Sequence, residues 1–331
     1  MPLELSVSQL AERVLGGDRA ALARAITLIE SSRPEHQERA RELMEICLPN
    51  TGRSVRVGIT GVPGAGKSTF IETLGLHVIR ERGESIAVIA IDPTSPVTGG
   101  SILGDKTRMP RLAANENAFI RPSPSGGASG GVAAKTREAM LLCEAAGFQN
   151  VFVETIGVGQ SEVAVASLVD FFLLLMLAGA GDELQGMKRG VLELADMVAF
   201  NKADGDNRVR TETARKQLQG VMDLFAPQPG GWTPPVVACS ARSGDGVPEI
   251  WATILKHHEC MTATGEFDRK RKRQRREALY ETIRRALSDS FFSKPAVRAR
   301  LPQLENDVMS GRITADAAAR ALMDSVWNAK D

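Results

Sequence analysis

Eight consecutive residues, Gly61-Val62-Pro63-Gly64-Ala65-Gly66-Lys67-Ser68, follow the pattern GxxxxGK[ST], which builds a cradle for the phosphates of a nucleotide. Glycines at 61, 64 and 66 let the backbone curl, so that successive N–H groups converge on phosphate oxygens at a helix N-terminus. Lys67 would bring positive charge to the β- and γ-phosphates. The Ser68 hydroxyl would be a ligand to Mg²⁺, and Thr69 extends the same binding stretch.

A second motif names the base. Asn201-Lys202-Ala203-Asp204 follows an apolar run and matches NKxD. A carboxylate at Asp204 accepts from guanine N1–H and N2–H₂ together. Adenine lacks that pair of donors, so a desolvated Asp204 would stay unpaired against ATP. Cys239-Ser240-Ala241 resembles the loop that supports guanine through its backbone, which assigns Ser240 and Ala241 to the nucleotide as well.

Acids complete the set. Asp92 ends one apolar run, and Glu154-Thr155-Ile156-Gly157 ends another with the form of a DxxG switch carrying Glu for Asp. Glu154 could hold a metal-bound water, and the Gly157 N–H could meet the γ-phosphate. Between them, 94–108 is rich in Pro, Gly and Ser and carries Asp105, Lys106 and Arg108, a candidate first switch. Lys67, Asp92, Asp105 and Glu154 are the candidate catalytic residues; the alternative for each acid is an ordinary surface carboxylate. Three acids at one phosphate site repel one another, which a cation and Lys67 would relieve.

Such residues need a sheet whose strand ends converge. Apolar runs at 55–60, 86–92, 118–120, 150–154, 170–177, 196–200 and 236–239 alternate with helical stretches. This pattern predicts an α/β P-loop NTPase fold, a mostly parallel sheet with helices on both faces. Before it, 6–48 reads as two or three amphipathic helices, broken at Gly16-Gly17 and Pro34 and stopped at Pro49. After it comes one long helix over 266–292 with an apolar stripe at Leu279, Ile283, Leu287 and Phe291. Pro295 and Pro302 break the remaining chain into shorter helices, the last from Thr314 to about Trp327. The expected organisation is an N-terminal helical extension (1–50), a P-loop GTPase domain (51–262) and a C-terminal helical arm (263–331). That arm would build a homodimer, because its stripe needs an apolar partner.

The 331 residues carry a net charge of +1 and 43% apolar residues, so charge predicts neither nucleic-acid nor membrane attraction. Four scattered cysteines and no signal-peptide layout fit free thiols in a reducing cytoplasm. The basic run Arg269–Arg276 reads as a solvated helix face or a patch for an acidic protein. His257-His258-Glu259-Cys260 reads as structural, since adjacent residues on a helix do not converge on one ion.

GITGVPGAGKSTFIETLG, AIDPTSPVTGGSILGDKTRM, FVETIGVGQSEV and FNKAD together resemble the MeaB/ArgK family of bacterial GTPases, and the similarity runs over nearly the whole chain. That resemblance implies a homodimeric chaperone of adenosylcobalamin-dependent methylmalonyl-CoA mutase, in which GTP hydrolysis gates cofactor loading and protects the mutase. It implies that Ser68, Asp92, Asp105 and Glu154 surround Mg²⁺, and that Asn201 and Asp204 read guanine. It also implies a third switch over 178–188 that reports the partner, with Asp182, Glu183 and Lys188 as its coupling residues. Two other readings stand beside it: a metal-delivery GTPase, and a small-molecule kinase using the P-loop as donor site.

Overall fold

The computed structural model describes residues 5–93, 108–125, 129–155, 161–179 and 189–327. It divides into two compact units, Met1–Gln274 and Arg275–Asp331.

The first unit is built on seven strands, β1 (Val55–Gly61), β2 (Ile86–Pro93), β3 (Ala118–Ser125), β4 (Asn150–Glu154), β5 (Phe171–Leu177), β6 (Met197–Asn201) and β7 (Val236–Ala238). Their order is β3-β2-β4-β1-β5-β6-β7, and every pairing is parallel. Every predicted apolar run became a strand. In β5 the period-two alternation divides FFLLLML between two cores: Phe172 and Leu174 join one face, Phe171, Leu173 and Leu175 the other. A sheet covered on both sides leaves no polar face, which is why the run is uninterrupted. β3 extends past the predicted 118–120 despite Pro122 and Pro124. It lies at the sheet edge, where a proline forfeits no ladder hydrogen bond.

Helices α1 (Val7–Leu15), α2 (Arg19–Glu30) and α3 (Pro34–Cys47) start and stop near the predicted breaks. Ser6 and Gln9 close a capping box on α1, and the Asp18 carboxylate caps α2. Their apolar faces, including Leu22, Ile26, Ile29 and Leu43, belong to the same core as Val153, Phe172 and Phe200 of the sheet. α4 (Lys67–Arg82), α5 (Pro110–Ala113), α6 (Ser129–Ala145), α7 (Ser161–Ala166), α8 (Arg189–Leu194), α9 (Asn207–Met222) and α10 (Val247–Ala263) complete the unit.

α11 (Glu266–Ser293) is the predicted long helix. The division between compact units falls inside it, after Gln274 rather than before residue 263. The reason lies in the basic run, which is not a uniformly solvated face. Arg271 is 4% exposed; it bonds both Asp170 carboxylate oxygens and donates to the carbonyls of Gly52 and Ser54. Gln274 donates to the Val169 carbonyl at 2.9 Å. Burial raises the Asp170 carboxyl, and Arg271 with Arg56 outweighs this, holding it below its usual range. A guanidinium held by four acceptors needs a built receptor, and the segments that enter β1 and β5 provide one.

In the second unit, α12 (Pro295–Met309) and α13 (Ala315–Trp327) pack on each other through Val297, Leu304, Ala318 and Leu322. Pro295 opens α12, but Pro302 lies inside it instead of ending it. Leu279, Ile283 and Leu287 of α11 are exposed.

Candidate active site

β1 is flanked by β4 and β5 at the centre of the sheet, where the chain's course along the strands reverses, and ligands of open parallel sheets gather at such points. The loop from Gly61 to α4 occupies it. At Gly61, with φ 152°, an added Cβ would sit 2.2 Å from the Leu175 carbonyl oxygen of β5, so only glycine fits. Gly66 has φ 85° and no side chain caps the helix it precedes. The first N–H groups of α4, those of Lys67, Ser68 and Thr69, thus have no intrahelical acceptor and suit an anion.

Lys67 is 9% exposed, and its Nζ donates to the carbonyls of Gly61 at 2.8 Å and Val62 at 3.2 Å. Burial lowers its pKa, Glu154 and Glu162 pull it back up, and Arg108 lowers it again. Ser68 Oγ donates to Glu154 Oε1 at 2.9 Å. Beneath them the Thr60 and Thr155 hydroxyls meet at 2.6 Å, stapling the ends of β1 and β4. Asp92 is placed on β2, two residues beyond Ala90, which pairs with Glu154 in register. Asp105, Gly157, Asp182, Glu183 and Lys188 lie outside the described residues.

On the other side of β1, the NKAD and CSA segments interlock. Lys202 has φ 61°, which turns the chain sharply after β6. Ala203 N–H donates to the Cys239 carbonyl at 2.9 Å. Ser240, fully buried, donates its hydroxyl to the Asp204 carboxylate and accepts from Ser243 N–H at 3.2 Å. Asn201 donates from Nδ2 to the Ala65 carbonyl at 2.8 Å and accepts at Oδ1 from Ala241 N–H at 2.9 Å. Its side chain therefore clamps the glycine loop after β1 to the loop after β7. Thr73 of α4 adds a third tie, to the Ala241 carbonyl at 2.7 Å.

Sequence reasoning missed four of these residues. Glu162 looks like an ordinary first-turn acid, and only the fold brings its charge to Lys67. Thr60, Thr155 and Thr73 make pairings across 95 and 168 residues, which no local pattern encodes.

A family model described as methylmalonyl-CoA mutase-associated GTPase MeaB matches residues 22–296. The chain belongs to this family. Its Mycobacterium tuberculosis relative, named "Probable GTPase Rv1496", is 52% identical over 319 residues, 96% of this chain and 95% of that one. The mouse methylmalonic aciduria type A homolog, a mitochondrial protein, is 42% identical over 327 residues, 96% of this chain and 79% of that one. A solved structure of a LAO/AO transport system kinase superposes with a TM-score of 0.78 at 36% identity, covering 99% of each chain.

A MeaB-family member with this geometry is a P-loop GTPase. The uncapped helix start and Lys67 lie at the end of β1, and the Asp204 carboxylate is held by Ser240. Among the described residues no helix is long and apolar enough to cross a membrane.

Proposed function

We propose that this GTPase is a chaperone of adenosylcobalamin-dependent methylmalonyl-CoA mutase, gating cofactor loading and protecting the mutase from inactivation under control of GTP hydrolysis. The observation that carries this reading is the family match over residues 22–296, whose description names the mutase. The mouse relative, named for methylmalonic aciduria, supports it.

In this reading Gly61–Thr69 and the Gly157 N–H bind the phosphates. Asp204 reads guanine, and Asn201, Lys202, Ser240 and Ala241 shape the base pocket. Mg²⁺ would be held by Ser68, Asp92, Asp105 and Glu154. Ser68 and Glu154 place two hard oxygen donors within 2.9 Å of each other at the phosphate end, which suits that ion. When bound, Mg²⁺ neutralises charge on the β- and γ-phosphate oxygens. Lys67 does the same from the protein side and fixes the phosphate chain. Asp182, Glu183 and Lys188 couple the nucleotide state to the partner.

The protein acts in the cytoplasm as a homodimer built on 263–331, where exposed Leu279, Ile283 and Leu287 offer an apolar surface. It serves neither nucleic acid nor a membrane. The likeness to a transport system kinase keeps one second reading open, phosphoryl transfer to a small molecule. Phosphate release from GTP in buffer without an acceptor separates the two. A GTPase releases stoichiometric phosphate over many turnovers, whereas a kinase needs its acceptor. Capture of the mutase from cell extract, stronger with a non-hydrolysable GTP analogue than without nucleotide or the reverse, tests the chaperone role.

A further inference from the structure

Three hydrogen bonds join three pairs of chain neighbours into a closed ring at the ends of β1 and β4. Lys67 Nζ donates to the Gly61 carbonyl at 2.8 Å, Ser68 Oγ donates to Glu154 Oε1 at 2.9 Å, and the Thr60 and Thr155 hydroxyls meet at 2.6 Å. Gly61 follows Thr60, Ser68 follows Lys67 and Thr155 follows Glu154, so the chain itself supplies the rest of the ring. Lys67 and Ser68 are groups that the proposed reading gives to the nucleotide and its Mg²⁺, so a ligand competes for the first two links. It does not compete for the third. Both threonines are sealed from water, Thr60 at 0% and Thr155 at 1% exposure, and neither belongs to the glycine motif. The Thr155 N–H also donates to the Ile59 carbonyl at 3.1 Å, which continues the β1–β4 pairing past Glu154.

The length of that third link decides what it does. Two hydroxyl oxygens reach 2.6 Å because a proton lies between them. Apolar carbon atoms settle at about 3.5–4.0 Å, so the bond holds the two strand ends about 1 Å closer than a pair of methyl groups could. In a reaction a displacement of that order costs up to about 100-fold in rate. We infer that Thr155, with Thr60 as its partner, is a positioning residue for GTP hydrolysis: their bond sets where the Glu154 carboxylate stands relative to Lys67 and Ser68. This rests on the proposed role of Glu154 in turnover. The backbone N–H groups of the glycine loop and the loops after β6 and β7 hold the ligand without passing through this bond. Its loss therefore reaches the rate and spares ground-state affinity.

The test is single-turnover GTP hydrolysis by the full chain, beside GDP affinity from fluorescent-nucleotide titration and the melting temperature. Thr155→Val keeps the branched shape without the hydroxyl. It is expected to slow hydrolysis on the order of 10- to 100-fold, with GDP affinity within about threefold of the parent. Thr155→Ser restores the hydroxyl and should regain most of the rate that valine loses. The double variant Thr60→Val/Thr155→Val leaves no buried hydroxyl unpaired, so its melting temperature should rise above that of Thr155→Val. Its hydrolysis should stay slow, because methyl groups still hold the strand ends apart. Glu154→Gln runs in the same assay, and a parent-like rate there would remove Glu154 from the reaction. With Glu154→Gln slow, parent-like hydrolysis by Thr155→Val would overturn the positioning role alone. So would a double variant whose rate recovers with its melting temperature, a serine variant as slow as the valine one, or a matched fall in rate and GDP affinity.

Discussion

The Asn201 side-chain amide donates to the Ala65 carbonyl at 2.8 Å, joining the glycine loop to the end of β6 across 136 residues of chain. The same side chain accepts from Ala241 N–H, so one buried group sets the spacing between the glycine loop and the loop after β7. Removing it orphans a buried carbonyl and a buried N–H. Asn201→Ala should therefore cost about 2 kcal/mol or more in denaturant unfolding without nucleotide, and nucleotide affinity should fall further because the loops lose their register. Asn201→Asp, which keeps the acceptor for Ala241 but opposes the Ala65 carbonyl, should be no better. Parent-like stability in Asn201→Ala would show that these two bonds contribute nothing to holding the loops.

In the proposed reading base choice rests on Asp204, whose carboxylate accepts from the Ser240 hydroxyl. Asp204→Asn should weaken GTP binding by roughly 10- to 100-fold, the worth of a charged hydrogen-bond pair, and should shift preference toward xanthosine nucleotides, whose C2 oxo group replaces the amine. Competition titration with GTP and XTP reads this directly. Unchanged GTP affinity would remove Asp204 from base recognition.

Arg271 and Asp170 form a buried pair at 2.6 Å. Arg271→Met leaves the Asp170 charge uncompensated and should cost about 3–5 kcal/mol in urea unfolding. Adding Asp170→Asn should recover part of that loss. Additive losses in the double variant would mean that the two residues do not act as a pair.

His257 is wedged edge-on between Phe171 and Trp232, with Asp196 3.6 Å away. Burial pushes its pKa down from 6.5 to about 4. Its neutral form is the folded one, so stability is unaffected by this group above pH 6.5. As pH falls from there toward 4 the unfolded chain takes up the proton first, and about 3 kcal/mol is lost. His257→Gln should flatten the dependence of the melting temperature on pH across that window. An identical slope in parent and variant would place the acid sensitivity elsewhere.

The strands were legible because a sheet buried on both faces writes its strands as unbroken apolar runs, and FFLLLML cannot easily be anything else. The positions of the glycine loop and NKAD were legible because each is one local turn placed at the end of one strand. Burial of Arg271 was not legible. Its receptor consists of Asp170 and two backbone carbonyls more than a hundred residues away, while its neighbours in RKRKRQRR look solvated. The extension of β3 was hidden by Pro122 and Pro124, whose tolerance depends on the strand lying at the sheet edge. Asn201 was assigned to the base from its motif, and the motif does not tell that its amide is also structural.

Control of a mutase interaction by nucleotide state is tested most directly by one affinity measurement. The purified chain is titrated with methylmalonyl-CoA mutase in the presence of a non-hydrolysable GTP analogue and of GDP, for the parent and for Lys67→Ala. A switch must bind its partner differently in its two states. Affinities differing at least tenfold, about 1.4 kcal/mol, are expected in the parent. No nucleotide dependence is expected in Lys67→Ala, which lacks the ammonium at the phosphates. Equal affinity of the parent in both states, or no binding in either, would contradict the proposed role.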